Sequence, residues 1–197
     1  MSSSSFDIRR FIFRMRSYTP IPFLIAMVIF ARPSAASLAG GFALLLLGEG
    51  LRFWGVSIVG AETRTTGTVG GTYLITNGPF AHVRNPLYLG NMVMYAGIGV
   101  MSMALFPGLL IAAAAWFYFQ YYLIVTREEE YLKETFGVEY EGYCREVRRF
   151  IPRLTPYRSS APPPKMVNAA EGLASERRTL QAIGLVTAAL VIIFLVR

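Results

Sequence analysis

Two short stretches of the chain concentrate the residues able to do chemistry. Residues 78–90 hold Gly78-Pro79, Arg84, Asn85-Pro86 and Tyr88, and residues 127–130 read Arg127-Glu128-Glu129-Glu130. Gly78-Pro79 is turn chemistry, because Gly accepts φ > 0 and Pro presets φ near −65°. Asn85-Pro86 reads as an N-cap followed by a first-turn proline. Arg84 then stands just outside a helix start, where outward-pointing N–H groups favour anions. Two readings fit these residues. In one, the first stretch is a surface loop with Arg84 on lipid phosphate, and the acids are a solvated helix face paired with Arg127 and Lys133. In the other, the first stretch is a pocket wall for an anionic group and the acids hold a cationic one. Metal chemistry has no ligand set: His82 and Cys144 are the only His and Cys, too few for a zinc site or an internal disulfide. His82 reads as a surface residue. Cys144 falls on the expected cytoplasmic side, a reducing environment.

The elements that must carry these residues are hydrophobic. Of 197 residues 54% are hydrophobic, and the mean hydropathy is +0.44. The charges are blocked rather than scattered. Five apolar runs stand out, at 19–31, 35–51, 86–106, 108–126 and 180–196. A span needs about 20 apolar residues, so the last four meet that length or nearly so and the first is short. The expected fold is all-α, a polytopic transmembrane helical bundle of about five spans. The net charge of +7 does not point to nucleic acid. With the N-terminus in the cytoplasm, every one of the 19 basic residues except Arg32 and Arg197 falls inside, as the positive-inside rule requires. Anionic lipid is the partner this charge implies.

Taken in order, residues 1–18 suit an interfacial amphipathic helix. The competing reading is a secretory signal, with 21–31 as its apolar core and Pro33-Ser34-Ala35-Ala36 behind it; Arg32 and the second apolar run favour a retained first hairpin. In the second run Gly40-Gly41 suit close helix packing. Glu49 lies one turn from Arg52, so the pair either neutralise each other or form a polar pocket wall. Residues 60–77 are Gly- and Thr-rich and read as a cytoplasmic loop. Phe106-Pro107-Gly108 is a tight turn, so the third and fourth spans form an antiparallel hairpin that brings Pro86–Tyr88 near Arg127–Glu130. Three acids would oppose the macrodipole of a helix ending there. The apolar stripe Leu132, Phe136, Tyr140, Tyr143 and Val147 predicts that it continues as a cytoplasmic amphipathic helix, broken or bent at Gly137. The expected units are 1–157 as the core domain, 158–178 as a linker with a short helix over Glu171–Arg178, and 179–197 as an additional C-terminal transmembrane helix.

Residues 74–90, Leu-Ile-Thr-Asn-Gly-Pro-Phe-Ala-His-Val-Arg-Asn-Pro-Leu-Tyr-Leu-Gly, resemble the signature of the isoprenylcysteine carboxyl methyltransferase and phospholipid methyltransferase family, roughly Leu-Val-Thr-x-Gly-Pro-Tyr-x-x-x-Arg-His-Pro-x-Tyr-x-Gly. A second match follows in Glu128-Glu129-x-x-Leu132-x-x-x-Phe136-Gly137-x-x-Tyr140-x-x-Tyr143, and Val147 to Ile151-Pro152 fits the ending. The resemblance covers residues 48–157. It implies a membrane enzyme that transfers methyl from S-adenosylmethionine, with Leu74, Ile75, Phe80, Asn85, Pro86, Leu87, Tyr88 and Glu128 at the cofactor. Gly97 and Gly99 match a Gly-x-Gly of the phospholipid branch; read as residues alone they are packing glycines. The chain departs from the pattern at Asn85, where His is usual, at Phe80 for Tyr, at Val147-Arg148-Arg149 for Val-Pro-Arg, and in its last apolar run. Asn cannot titrate near neutral pH, so position 85 carries no proton.

Methyl transfer from a sulfonium is an in-line displacement that rests on positioning and desolvation. Arg84 suits the cofactor carboxylate, and Glu128 or Glu129 the cationic or ribose part. A carboxylate acceptor is already ionised and wants a cation such as Arg84; an amine acceptor must lose a proton to a base such as Glu129. Arg84 and Glu129 are thus the expected catalytic residues, and the acceptor is a lipidic or prenylated molecule entering from the bilayer. Two other functions stay open: a non-catalytic membrane protein that keeps the fold, and a nicotinamide-dependent reductase of related architecture.

Overall fold

The computed structural model describes residues 8–60, 74–159 and 167–197. The N-terminal Ser run, most of the expected 60–77 loop and the Pro162-Pro163-Pro164 linker lie outside the described residues. Among the described residues the structure is all-helical. The elements are α1 (Ile8–Met15), α2 (Pro20–Ile29), α3 (Ala35–Val59), a 3-10 turn (Gly78–Ala81), α4 (Pro86–Ser102), α5 (Gly108–Glu146) and α6 (Ala169–Val196).

Local signals set most of the boundaries. Ser34 caps α3 in a reciprocal box with Ser37: Ser37 N–H donates to the Ser34 hydroxyl at 3.1 Å and Ser34 N–H to Ser37 Oγ at 2.9 Å. Pro86 occupies the first turn of α4, as its fixed φ predicts. Asn85 sits at the N-cap position but makes no side-chain cap bond. The helix of the acids continues past them, with a kink where Gly137 takes φ 50°, and ends at Glu146.

The helices α3, α5 and α6 are long and apolar enough to cross a membrane, and the protein is an integral membrane protein. The first expected span, 19–31, is one short helix, α2. The ten residues of α2 rise only about 15 Å, half of a hydrocarbon core. It is preceded by α1, whose Arg9 pairs with Glu130, and followed by Arg32, whose N–H bonds the Ser102 carbonyl at 2.7 Å. The chain therefore passes from the Glu130 end of the bundle to the Ser102 end in two short pieces. Helix α4, with 17 residues, is the shortest of the remaining passages. The last helix starts at Ala169 rather than near 179, so the second half of the expected linker is its first turns. Its C-terminal Arg197 donates to the Ala31 carbonyl, beside Arg32. The two basic residues that sequence analysis separates from the rest thus share one end of the molecule.

A glycine seam joins α3 to α4. A Cβ on Gly41 would lie 2.5 Å from the Gly97 carbonyl oxygen, one on Gly48 2.6 Å from that of Gly90, and one on Gly97 2.7 Å from that of Gly41. These glycines recur every seven residues, so one face of each helix runs backbone to backbone along its partner. Gly40, by contrast, meets nothing; of the expected pair only Gly41 packs. The core beside the seam holds Met27, Leu45, Ile98, Met101, Phe117 and Ile124.

Because Gly97 abuts backbone, which cannot retreat as a side chain does, Gly97→Leu is expected to cost about 1–3 kcal/mol or more. Gly40→Leu should be near neutral. Thermal unfolding of both variants in detergent micelles checks the pair.

Candidate active site

The site lies at the end of the bundle where α4 begins. The 3-10 turn is set by Gly78, whose φ of 58° is left-handed and whose added Cβ would meet Ile58 Cδ1 at 2.1 Å. The next residues are laced to the segment after α5. Arg84 N–H donates to the Arg148 carbonyl at 2.9 Å, Arg153 N–H to the His82 carbonyl at 2.9 Å and Tyr157 N–H to the Ala81 carbonyl at 2.8 Å. His82 joins them: its Nδ1–H donates to the Arg153 carbonyl at 2.9 Å. Asn85 Nδ2 donates to the Arg149 carbonyl at 3.3 Å, so the side chain expected at the helix cap fastens this strap instead. Tyr143, from α5, donates its hydroxyl to the Phe80 carbonyl at 2.6 Å.

Of the row of acids only Glu130 is exposed, and Arg127 and Lys133 are not its partners. Each acid meets a different element. Glu128 accepts from the Tyr88 hydroxyl at 2.6 Å. Glu129 accepts from Arg149 Nη2 at 2.6 Å and Nε at 2.9 Å, and lies 3.2 Å from Arg84 Nη2. Glu130 pairs with Arg9 at 2.7 Å. Arg127 instead covers the Phe13 ring at 5.5 Å, and Lys133 pairs with Glu141 at 3.1 Å. The Glu129 carboxylate raises the Arg149 guanidinium above its ordinary range, because its hydrogen bonds favour the charged form. Arg149 also lies over Tyr122, 5.0 Å from the ring centroid.

Two buried polar atoms at this mouth are left over. Arg84 Nε has no hydrogen-bond partner among the described residues, and Glu129 Oε1 has only its ion pair with Arg84 Nη2 at 3.2 Å. Buried donors and acceptors are normally paired, and an orphan next to a cleft marks where another group belongs. An open cleft of about 440 Å³ begins at Glu129, lined by Thr126, Glu130, Tyr140, Cys144 and Arg149 among others.

The other residues expected at the site divide. Leu74 packs on Tyr140, Tyr143 and Val147, on the far wall of the turn; Ile75 beside it is partly buried, as is Phe80. Pro86 is buried. Leu87 points at Gly55 of α3, away from the acids. Gly97 belongs to the α3–α4 seam, and Gly99 faces Leu110 and Met27. The structure does not bring these two glycines together with Arg84 and Glu129. Sequence reasoning missed Arg149, His82 and Tyr143. Its available signal was the basic segment 147–157, which the proline-stopped pattern showed ending a helix but not folding back.

A profile of the phospholipid methyltransferase family matches residues 36–139, more than half of the chain, with all but the first residue of α3, all of α4 and the acid-bearing part of α5. The chain belongs to the phospholipid methyltransferase family. Among characterised relatives, a nickel-cobalt-cadmium resistance protein of Alcaligenes xylosoxydans xylosoxydans is 33% identical over 90 residues, 46% of this chain and 41% of that protein. A cobalt-zinc-cadmium resistance protein of Cupriavidus metallidurans is 33% identical over 88 residues, 45% of this chain and 39% of its own length. The protein-S-isoprenylcysteine O-methyltransferase of Schizosaccharomyces pombe is 34% identical over 81 residues, 41% of this chain and 34% of its own. The matched stretch is thus about two fifths of the two bacterial relatives. No solved structure matches the chain. Among the described residues, no three His, Cys, Asp or Glu side chains form a group able to hold a metal ion.

The strap depends on bonds that one atom can remove. Tyr143→Phe deletes the donor to the Phe80 carbonyl and is expected to cost about 1–3 kcal/mol. Hydrogen exchange should quicken over residues 78–84, while exchange across the α3–α4 seam stays as it is.

Proposed function

We propose that this family member is an S-adenosylmethionine-dependent methyltransferase acting on a lipidic acceptor drawn from the bilayer, with the site and N-terminus on the cytoplasmic side. The observation that carries the reading is the buried Arg84–Glu129 pair, with Arg84 Nε unbonded, Glu129 opening on the cleft, and the neighbouring Glu128 held by Tyr88. S-adenosylmethionine offers a carboxylate, an ammonium, a ribose diol and a sulfonium. Those groups fit the residues present. Arg84 would take the carboxylate through its free Nε–H. Glu129 Oε1 would take the ammonium or a ribose hydroxyl, and Glu128, oriented by Tyr88, the other. When bound, the cofactor supplies the methyl group on a sulfonium. The chain's own part is to orient the two partners and keep water from between them.

The acceptor chemistry follows from what the residues can move. An amine must lose a proton before it attacks. Asn85 cannot carry one, Glu129 is ion-paired with Arg149 and Arg84, and Glu128 already accepts from Tyr88. A carboxylate attacks as it stands. The site therefore favours a carboxyl group on an apolar carrier. An apolar pocket of about 280 Å³ between α4 and α5, lined by Met92, Tyr95, Leu110 and Phe117, has the character for a stretch of its chain. Orientation rests on the sequence, in which every basic residue except Arg32 and Arg197 falls on the N-terminal side of the expected spans.

Calorimetry with purified protein tests the reading. S-adenosylmethionine should bind, and Arg84→Ala or Glu128→Ala should weaken it roughly tenfold or more, as the loss of one charge-assisted contact implies. No binding to the native protein, or binding indifferent to both substitutions, would sink the proposal. Labelled cofactor with total membrane lipid, followed by mass spectrometry, should place the label on a carboxyl oxygen; label on nitrogen refutes the carboxylate acceptor.

A further inference from the structure

Helix α6 lies outside the family-matched segment, yet it ends in the support of Tyr88. Glu176 of α6 is 1% exposed and accepts Arg52 Nη2 on both carboxylate oxygens, at 2.7 and 2.9 Å. The other arm of the same guanidinium, Nη1, donates to Asn91 Oδ1 at 2.5 Å. Asn91 stands one turn beyond Tyr88 on α4 and faces the Tyr121 phenol. Tyr121, 3% exposed, stacks on Tyr88 with ring centroids 4.9 Å apart, and Tyr88 donates to Glu128. Helix α6 is seated firmly enough to serve as an anchor. A Cβ on Gly172 would lie 2.2 Å from Ser57 Oγ, and Asn168 N–H bonds the Ser57 carbonyl at 2.7 Å.

A second carboxylate gives this arrangement a competitor. Glu49 Oε2 lies 3.7 Å from Arg52 Nε, and neither oxygen of Glu49 has a hydrogen-bond partner among the described residues. A buried guanidinium goes where its charge is met, since leaving it unpaired is the costly outcome. With Glu176 present, Arg52 is forked between α6 and Asn91. Without it, the nearest carboxylate is Glu49, one turn back on α3. Turning to Glu49 draws Nη1 off Asn91 and releases the Tyr121–Tyr88 stack.

We propose that Glu176 is a positioning residue for the cofactor wall, parking Arg52 so that Asn91, Tyr121 and Tyr88 hold Glu128 in place. The functional consequence rests on the methyltransferase reading above; the structural one does not. The test uses the full-length protein in detergent with 3-fluorotyrosine incorporated. The Tyr88 fluorine resonance is identified by its loss in Tyr88→Phe, and S-adenosylmethionine affinity is measured by calorimetry on the folded protein. Glu176→Ala, with Glu176→Gln in case the alanine variant does not fold, should shift the Tyr88 resonance. It should also raise the cofactor Kd roughly threefold to thirtyfold. If α6 is only an anchor, the variants lose thermal stability while the Tyr88 resonance, or the Kd of a native protein that binds, stays unchanged; that result overturns the proposal. If the native protein does not bind the cofactor, the methyltransferase reading falls, and the Tyr88 resonance alone decides for or against Glu176.

Discussion

The rest of the structure depends on how closely α3 and α4 approach. Glycines at 41, 48, 90 and 97 remove the side chains that would hold the helices apart, so each backbone rests on the other. Between helices in lipid there is no water to expel, and close packing with interhelical hydrogen bonds is what remains to drive association. The seam also fixes register. With Gly48 against Gly90, the next turn of α3 sets Arg52 beside Asn91. The following turns bring Gly55 under Leu87 and Trp54 under the turn at Gly78. The start of α4, and with it Arg84 and Tyr88, is therefore aimed by contacts made well inside the bundle.

On that frame the site is assembled from three passages of chain that are distant in sequence. The turn and first residues of α4 contribute Arg84 and Tyr88, the middle of α5 contributes Glu128 and Glu129, and the strap after α5 contributes Arg149. Adjacent glutamates point to different partners because successive helix residues are about 100° apart. One faces α4 and the other the strap. The charges nearly cancel locally, two guanidiniums against two carboxylates, which is what a partly buried polar site at a membrane surface requires. What is left over is geometric: Arg84 Nε has a bond to give, and Glu129 Oε1 accepts none beyond its ion pair with Arg84 Nη2.

Polar groups inside the bundle show the same economy at a second place. Arg52, Glu49 and Glu176 gather three charges from two helices. Such residues in membrane segments face other helices rather than lipid, because an unpaired charge in hydrocarbon is expensive. Here they join α6 to the helices that carry the site.

The helical class, the apolar runs, the α4–α5 hairpin, the kink at Gly137 and the approach of Glu128 and Glu129 to Tyr88 and Arg84 were all legible in the sequence. Each follows from local chemistry: run length, the Phe106-Pro107-Gly108 turn, a first-turn proline, a glycine in an apolar stripe. The resemblance through residues 74–90 and 128–143 picked out two stretches that the fold brings into contact, each of them contiguous in sequence. Partner choice was not legible. Asn85 looked like a cap and instead bonds the strap; Glu49 looked like the partner of Arg52, which is held more tightly by Glu176. The first span is shorter than a membrane crossing, the ten residues of α2, and of the two readings of Gly97 the packing one holds in the seam. These outcomes turn on which distant backbone or side chain arrives at 3 Å. Sequence spacing sets what a residue can reach within its own helix; only the packed bundle decides which of several chemically equal partners is there to be reached.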